Sequence, residues 1–306
     1  MTTRAVPYTA GADEFDAREV ARLRRRHARR HVLARVGVYA VAVVAALACA
    51  APFLWGTVTA LKLNADLYDA TANPFLFNRP PTLDHVLFLF QDTAYLTFVW
   101  NTVWVGLLVV AITLALGLPA AYAIARLDRP WSSPMGIGIF FVYLVPPSLL
   151  FLSLSRLVAW VGLQDSTWSL VLVYPTITVP ISTWLLIGFL KALPKDIEEQ
   201  AMVDGYSRLG AFVRTVVPLL FPGIVAVVVF AFTLTASEFI YALAFISPTG
   251  EKVVSTGVPT ELIRGDVFFW QSLQASALLI AVPIAIIFNF FLARFVSGFT
   301  MGAVKG

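Results

Sequence analysis

Charge is scarce in this chain. Asp, Glu, Lys and Arg together make up 13% of 306 residues, against about 25% in an ordinary soluble domain. Cysteine occurs once and histidine three times. Cys49 lies inside an apolar run, can form no internal disulfide and reads as a small apolar packing residue. His27 and His31 would share a helix face at i, i+4, but they stand among arginines, which disfavour a bound cation, and His85 is alone; no metal centre is expected. No glycine-rich loop ending in Gly-Lys-Ser/Thr occurs, so ATP is not held here by that device, and energy for any transport must come from a partner or an ion gradient. The apolar stretches contain no cluster of His, Asp or Cys fit for acid–base work, which argues against an enzyme.

What the chain has in abundance is apolar length. Hydrophobic residues make up 59%, and six stretches run without Asp, Glu, Lys or Arg over 36–61, 93–125, 130–155, 166–190, 215–237 and 267–293. Each exceeds the roughly 20 residues a helix needs to cross a bilayer. The reading is an all-α membrane protein with six transmembrane helices, over about 36–61, 95–125, 134–155, 167–190, 217–245 and 270–293. A tail of 35 residues with nine Arg precedes the first span and shows no signal-peptide cleavage pattern, so that span is expected to be retained. Placing both termini in the cytoplasm puts 17 of the 22 Lys and Arg inside, as the positive-inside rule demands. The Arg-rich run over 22–30 could be a nucleic-acid patch, but it abuts a span and has Asp13, Glu14, Asp16 and Glu19 beside it, so it reads as a topology anchor and no nucleic acid is expected.

Proline marks the spans that cannot be plain helices. Val145-Pro146-Pro147 must interrupt the third span in mid-membrane, and Pro175 and Pro180 stand in the fourth. Broken helices at that depth can line a transport pathway, and they also occur without any such role. The segment after Pro80-Pro81, over 85–90, is apolar but too short to cross and is expected to form a helix along the outer surface. Within the tail, a helix over 15–32 lying at the headgroups is expected.

Between the fourth and fifth spans the chain turns polar. Pro194 suits the first turn of a helix, Lys195 and Glu199 stand four apart, Gly205 suits the position just past a helix end, and Ser207 can cap a second helix running toward Pro218. The first helix would be marginal alone in water. Ile197, Ala201 and Met202 give it a narrow apolar stripe flanked by acidic residues, a shape suited to a groove in another protein.

These residues reach a family. Glu199-Gln200-Ala201, then Gly205, then Pro218 resembles the Glu-Ala-Ala motif of bacterial importer permeases driven by ATP-binding-cassette (ABC) ATPases. The resemblance extends through Pro81-Thr-Leu-Asp84, Asn101-Thr102, Ala121-Tyr-Ala-Ile-Ala-Arg126, Pro146-Pro147, Gly162-Leu-Gln-Asp165-Ser and Gly302-Ala-Val-Lys-Gly306. Together these are similar to the MalG-like permease subunit of carbohydrate importers, with Gln200, Thr215 and Val217 departing from the usual pattern.

The resemblance implies a type I ABC importer permease fold in the inner membrane, with domains at 1–35 (cytoplasmic tail), 36–297 (permease, including a coupling loop at 191–217) and 298–306 (cytoplasmic tail). It implies partners: a second permease subunit, two ABC ATPases holding ATP and Mg, a solute-binding protein outside, and membrane lipid. No cofactor is expected on this chain itself. Contact with the ATPase falls on Glu198, Glu199, Ala201, Met202, Asp204, Gly205, Arg208 and Pro218, and on a flexible tail with Gly302, Lys305 and Gly306. The pathway falls on Asn101, Pro146, Pro147, Ser237 and Glu238. Glu238, expected inside the fifth span, either faces the cavity or makes an interhelical bond, and Asn101 either bridges helices or lines an outer gate. The implied cargo is a sugar or oligosaccharide; glycerol phosphate or another solute, and an ion-coupled carrier, are the competing readings.

Overall fold

The computed structural model describes the backbone over residues 10–127 and 129–303 and side chains over 34–127 and 129–290. The chain divides into two compact units, Met1–Thr57 and Val58–Gly306. The first is occupied by helix α1 (Ala10–Ala60), which carries Pro52 without a break. The expected separate headgroup helix over 15–32 is therefore one continuous helix with the span; no proline or glycine pair falls there to stop it. Its apolar residues from Val36 to Trp55 are exposed.

The second unit begins with α2 (Asn64–Leu67), α3 (Asp84–Gln91) and α4 (Tyr95–Arg126). It continues with α5 (Ser132–Tyr143), α6 (Pro147–Val161), α7 (Trp168–Val173) and α8 (Pro175–Ala192). Next come α9 (Asp196–Val203), α10 (Arg208–Ala211), a π turn (Phe212–Val216), α11 (Val217–Leu219), α12 (Phe221–Ser237) and α13 (Ile240–Phe245). The unit closes with α14 (Val254–Leu262), a small antiparallel hairpin of β1 (Ile263–Arg264) and β2 (Val267–Phe268), and α15 (Trp270–Ala303).

Among the described residues four helical stretches are long and apolar enough to cross a membrane, and the number reaches six if each of two bent pairs is one span. The Pro146-Pro147 break behaves as expected and goes further. Helices α5 and α6 meet at 91°, so the predicted third span is not one straight crossing, and α6 continues to Val161 instead of ending at 155. Pro147 starts α6 at a position where a missing N–H costs nothing. Pro180, by contrast, lies within α8 without ending it. The fifth span is shorter than predicted: α12 ends at Ser237, and Glu238 has extended backbone.

Helix α4 is the axis of this unit, packed against α8, α12, α14 and α7. Its contact with α12 is close because Gly106 has no side chain: a Cβ there would lie 2.6 Å from the Phe232 ring. Ala121 is fully buried with Leu186, Leu190, Val216 and Val227. Thr113 and Thr178 share a hydrogen bond of 2.7 Å between α4 and α8, a bond available to hydroxyls where lipid offers none.

The end of this unit at Tyr95 is tied by polar contacts between distant loops. Asn101 Nδ2 donates to the carbonyls of Gly250 and Lys252, both at 2.9 Å. Thr167 N donates to Glu251 Oε2 at 2.7 Å, Ser247 N to Asp165 Oδ1 at 2.9 Å, and Ala94 N to Glu261 Oε2 at 3.1 Å. Helix α3 forms over the short apolar segment as expected, with Leu89 buried and Phe88 stacked on Phe269 at 5.3 Å. Lys62 and Asp66 are both buried, 3.8 Å apart, and Lys62 Nζ also donates to the Asn73 carbonyl at 2.9 Å. Burial alone would raise the Asp66 pKa, but the Asn78 side-chain amide and backbone N–H, with Lys62, hold it below the usual carboxylate value.

Candidate functional site

The polar segment between α8 and α12 folds as its turn residues dictate. Helix α9 starts at Asp196, so Pro194 stands just ahead of it instead of in its first turn. Asp196, Glu198 and Glu199 fill that first turn, where the helix dipole favours carboxylates. The helix ends in a Schellman arrangement: Tyr206 N donates to the Ala201 carbonyl and Gly205 N to the Met202 carbonyl, each at 3.1 Å. Gly205 has φ +94°, a conformation that a side chain would strain. Ser207 Oγ then accepts from Gly210 N at 3.1 Å and caps α10. The second helix does run toward Pro218, but through a π turn, and meets α12 at 73°.

The two faces of α9 differ from the expectation. Ala201 is buried and Ile197 and Met202 are half-buried, so the apolar stripe packs inward on the π turn and α10 and does not offer itself to a groove elsewhere. Glu198, expected at the ATPase contact, is also turned inward and is 5% exposed. Its carboxylate accepts a hydrogen bond from the Tyr122 hydroxyl and lies 3.4 Å from Arg126 Nε. Arg126 Nη2 donates to the Leu193 carbonyl at 3.0 Å, just before α9 begins. In the sequence Arg126 stands as an inside charge and the end of the Ala121–Arg126 motif; a lone Arg at a span end carries no signal for a partner 72 positions away.

What α9 leaves outward is Glu199, Gln200, Val203 and Asp204, continued by Gly205, Tyr206, Arg208, Leu209 and Val213. Val203 is 88% and Leu209 71% exposed. Arg214 lies over the Tyr206 ring at 5.2 Å, which steadies the turn. Pro218 is exposed at the foot of the segment. The surface is a short helix and turn of mixed apolar and charged residues, and its inner side is fully engaged.

The expected pathway residues do not form one cluster. Pro146 and Pro147 lie at the α5–α6 bend. Asn101 is buried with both amide hydrogens used by the loop at Gly250 and Lys252, and its Oδ1 accepts from Trp104 Nε1 at 3.3 Å. The Trp104 ring packs on Trp168, tilted by 55° at 5.2 Å between centroids. Glu238 caps α13: its oxygens accept from the backbone N–H groups of Ile240, Tyr241 and Ala242 at 2.9 to 3.2 Å. Ser237 Oγ bonds back to the Thr233 carbonyl at 2.8 Å. Thr233, Ser237 and Ser255 give the polar spots in an otherwise apolar groove of about 920 Å³ between α8, α12 and α15, lined also by Phe189, Phe230 and Phe288. At the end of the chain α15 continues through Gly302 to Ala303, so a flexible tail from 298 is not what is seen there; Lys305 and Gly306 lie outside the described residues.

Residues 113–300, from the middle of α4 to the last turn of α15, match the family described as binding-protein-dependent transport system inner membrane component. The chain belongs to that family. It is a permease component, and the membrane helices above are those of an inner-membrane protein. The permease is 34% identical over 257 residues to the sulfoquinovosyl glycerol transport system permease protein SmoH of Agrobacterium fabrum, covering 83% of this chain and 88% of that one. It is 29% identical over 281 residues to the diacetylchitobiose uptake system permease protein DasC of Streptomyces coelicolor, covering 91% and 100%. Its fold resembles a chain in the crystal structure of a bacterial ABC transporter involved in the import of the acidic polysaccharide alginate, with TM-score 0.69, 15% identity and coverage of 95% and 100%.

Proposed function

We propose that this permease forms half of the membrane pathway of an ATP-driven importer for a sugar or oligosaccharide. A second permease subunit completes the pathway, two ABC ATPases carry ATP and Mg, and a solute-binding protein delivers the cargo on the other side. The glycosides named for the Agrobacterium and Streptomyces relatives support the choice of cargo. Both termini and the segment from α9 to α11 face the cytoplasm in this reading, supported by the distribution of Lys and Arg.

The observation that carries the proposal is the outward surface around α9. An eight-residue helix, about 12 Å long, does not persist alone in water. Here its buried side is held by the chain while Glu199, Val203, Asp204 and Leu209 are left uncovered. Such a surface suits a cleft in an ATPase, with Glu199 meeting a basic group there and Gly205 allowing the turn. ATP binding closes the ATPase pair, displaces the docked segment and rocks the spans.

The test is a complex purified through a tag on this chain and reconstituted in vesicles with its binding protein, whose ligand is first found by calorimetry against a panel of mono- and oligosaccharides. Glu199→Ala and Gly205→Val are expected to leave assembly with the second permease largely intact and to lower ATP-dependent uptake of the identified sugar at least tenfold. Normal uptake by both variants would remove the coupling role.

A further inference from the structure

The inward side of α9 carries more than packing. Glu198, Arg126 and Tyr122 form a small buried polar set between α9 and the end of α4. The Glu198 carboxylate receives the Tyr122 hydroxyl on one oxygen and faces Arg126 Nε at 3.4 Å with the other. Their side chains are only 7% and 5% exposed. Arg126 reaches on to the Leu193 carbonyl, so one guanidinium grips both the helix and the strand of chain leading into it. Tyr122 is itself wedged against Phe212 of the π turn at 4.3 Å between ring centroids.

We infer that Arg126 and Glu198, braced by Tyr122, are a latch that carries displacement of α9 into α4. The inference rests on the coupling role proposed for α9 and names the residues through which that role acts. Its physical basis is a comparison of attachments. Helix α9 is short, its apolar contacts with the body come from Ala201, Ile197 and Met202 alone among its buried or half-buried residues apart from Glu198, and small apolar contacts slide with little directional preference. A shielded ion pair with hydrogen bonds on both partners resists both separation and rotation. Helix α4 is the element against which α8 and α12 pack, so motion delivered at Arg126 reaches the centre of the bundle. These are positioning residues; none of them needs to touch the ATPase.

The experiment measures movement directly and requires no knowledge of the cargo. In the full complex with Cys49→Ser as background, one spin label is placed on α9 at Val203→Cys and another near the far end of α4 at Trp100→Cys, each paired with a fixed label on the ATPase. Distances are recorded without nucleotide and after trapping with ATP, Mg and vanadate. With the latch intact both labels shift. Glu198→Gln and Arg126→Gln are expected to leave co-purification with the ATPase and the α9 shift unchanged while reducing the α4 shift at least twofold. The double variant is expected to lose no more than either single one, and Tyr122→Phe to give a smaller loss. A full α4 shift in both single variants, additive losses in the double variant, or a lowered melting temperature as the sole effect would overturn the latch while leaving docking intact. An α9 label that ignores ATP in the unaltered complex would instead remove the coupling role itself, and the latch with it.

Discussion

Glu238 accepts the backbone N–H of Tyr241 through both carboxylate oxygens, at 3.1 and 3.0 Å, and the neighbouring N–H groups of Ile240 and Ala242 through one each. A carboxylate at the start of a helix satisfies donors that have no partner within the helix. Its position between α12 and α13 makes it the point where the fifth span stops. Ser255 Oγ also donates to the Glu238 carbonyl at 2.6 Å, which fixes the same corner from α14.

Removing that cap is expected to be a local and measurable loss. Glu238→Ala should lower stability by about 1–2 kcal/mol, the range for a lost helix cap, and Glu238→Gln by less because an amide oxygen still accepts. Thermal unfolding of the detergent-purified complex checks the order, Ala below Gln below the unaltered chain.

Gly205 gives a second prediction. With φ at +94° and open space around its Cα, the cost of a side chain there is backbone strain and not collision. Gly205→Ala should destabilise the turn by about 1–2 kcal/mol and Gly205→Asn by less, since Asn visits the left-handed region more readily. Limited proteolysis between α9 and α10 should show faster cutting in the Ala variant than in the Asn variant.

At Gly106 the prediction reverses, because space is the constraint. A methyl group would lie 2.6 Å from Phe232, so Gly106→Ala is expected to push α4 from α12 and cost about 1–3 kcal/mol, as overpacking does. Phe232→Leu in the same chain should recover part of that loss. A double-mutant cycle on melting temperature measures the recovery, and strict additivity would show that the two residues do not meet.

Asp66 gives a pH dependence with a definite sign. Its folded pKa lies below the ordinary value of 3.8, so the folded state favours the charged form more than the unfolded state does. That contribution is present above about pH 4 and is lost as pH falls through the folded value. Asp66→Asn should lower stability at pH 7 and flatten the stability profile below pH 4, measured by protease cleavage of the segment over 62–81.

The parts of the fold readable in the sequence were those set by local rules. The long membrane helices followed from uncharged length, the Pro146-Pro147 break from a missing donor and a fixed φ, and the α9 to α10 turn from Gly205 and Ser207, each of which acts on its own neighbours. What escaped was every feature decided by a distant partner. Glu198 and Glu199 are adjacent acidic residues with nothing local to say which one faces in; Arg126, brought alongside by the α4–α8 packing, decides it. The particular carbonyls that Asn101 meets, at Gly250 and Lys252, and the Glu251 and Glu261 bonds were likewise invisible, since each joins segments whose approach depends on the whole bundle. Glu238 escaped for a different reason: an acidic residue inside an apolar run reads as buried in a span, whereas here it ends one.

The π turn at Phe212–Val216 has a consequence for which side of α12 meets its neighbours. A π turn accommodates one more residue than the α-helical ladder around it, and each residue of helix advances the azimuth by roughly 100°. A deletion within Phe212–Val216 is absorbed by rewinding into ordinary α-helix, whereas deleting a single residue between Val217 and Pro222 would rotate the downstream contacts by about that angle. Gly223 would then turn away from Phe189, against which its bare Cα is pressed. The winding irregularity thus works as a phase setting, and a chain shortened by one position just after it is expected to misplace the fifth span even though every remaining residue is unchanged.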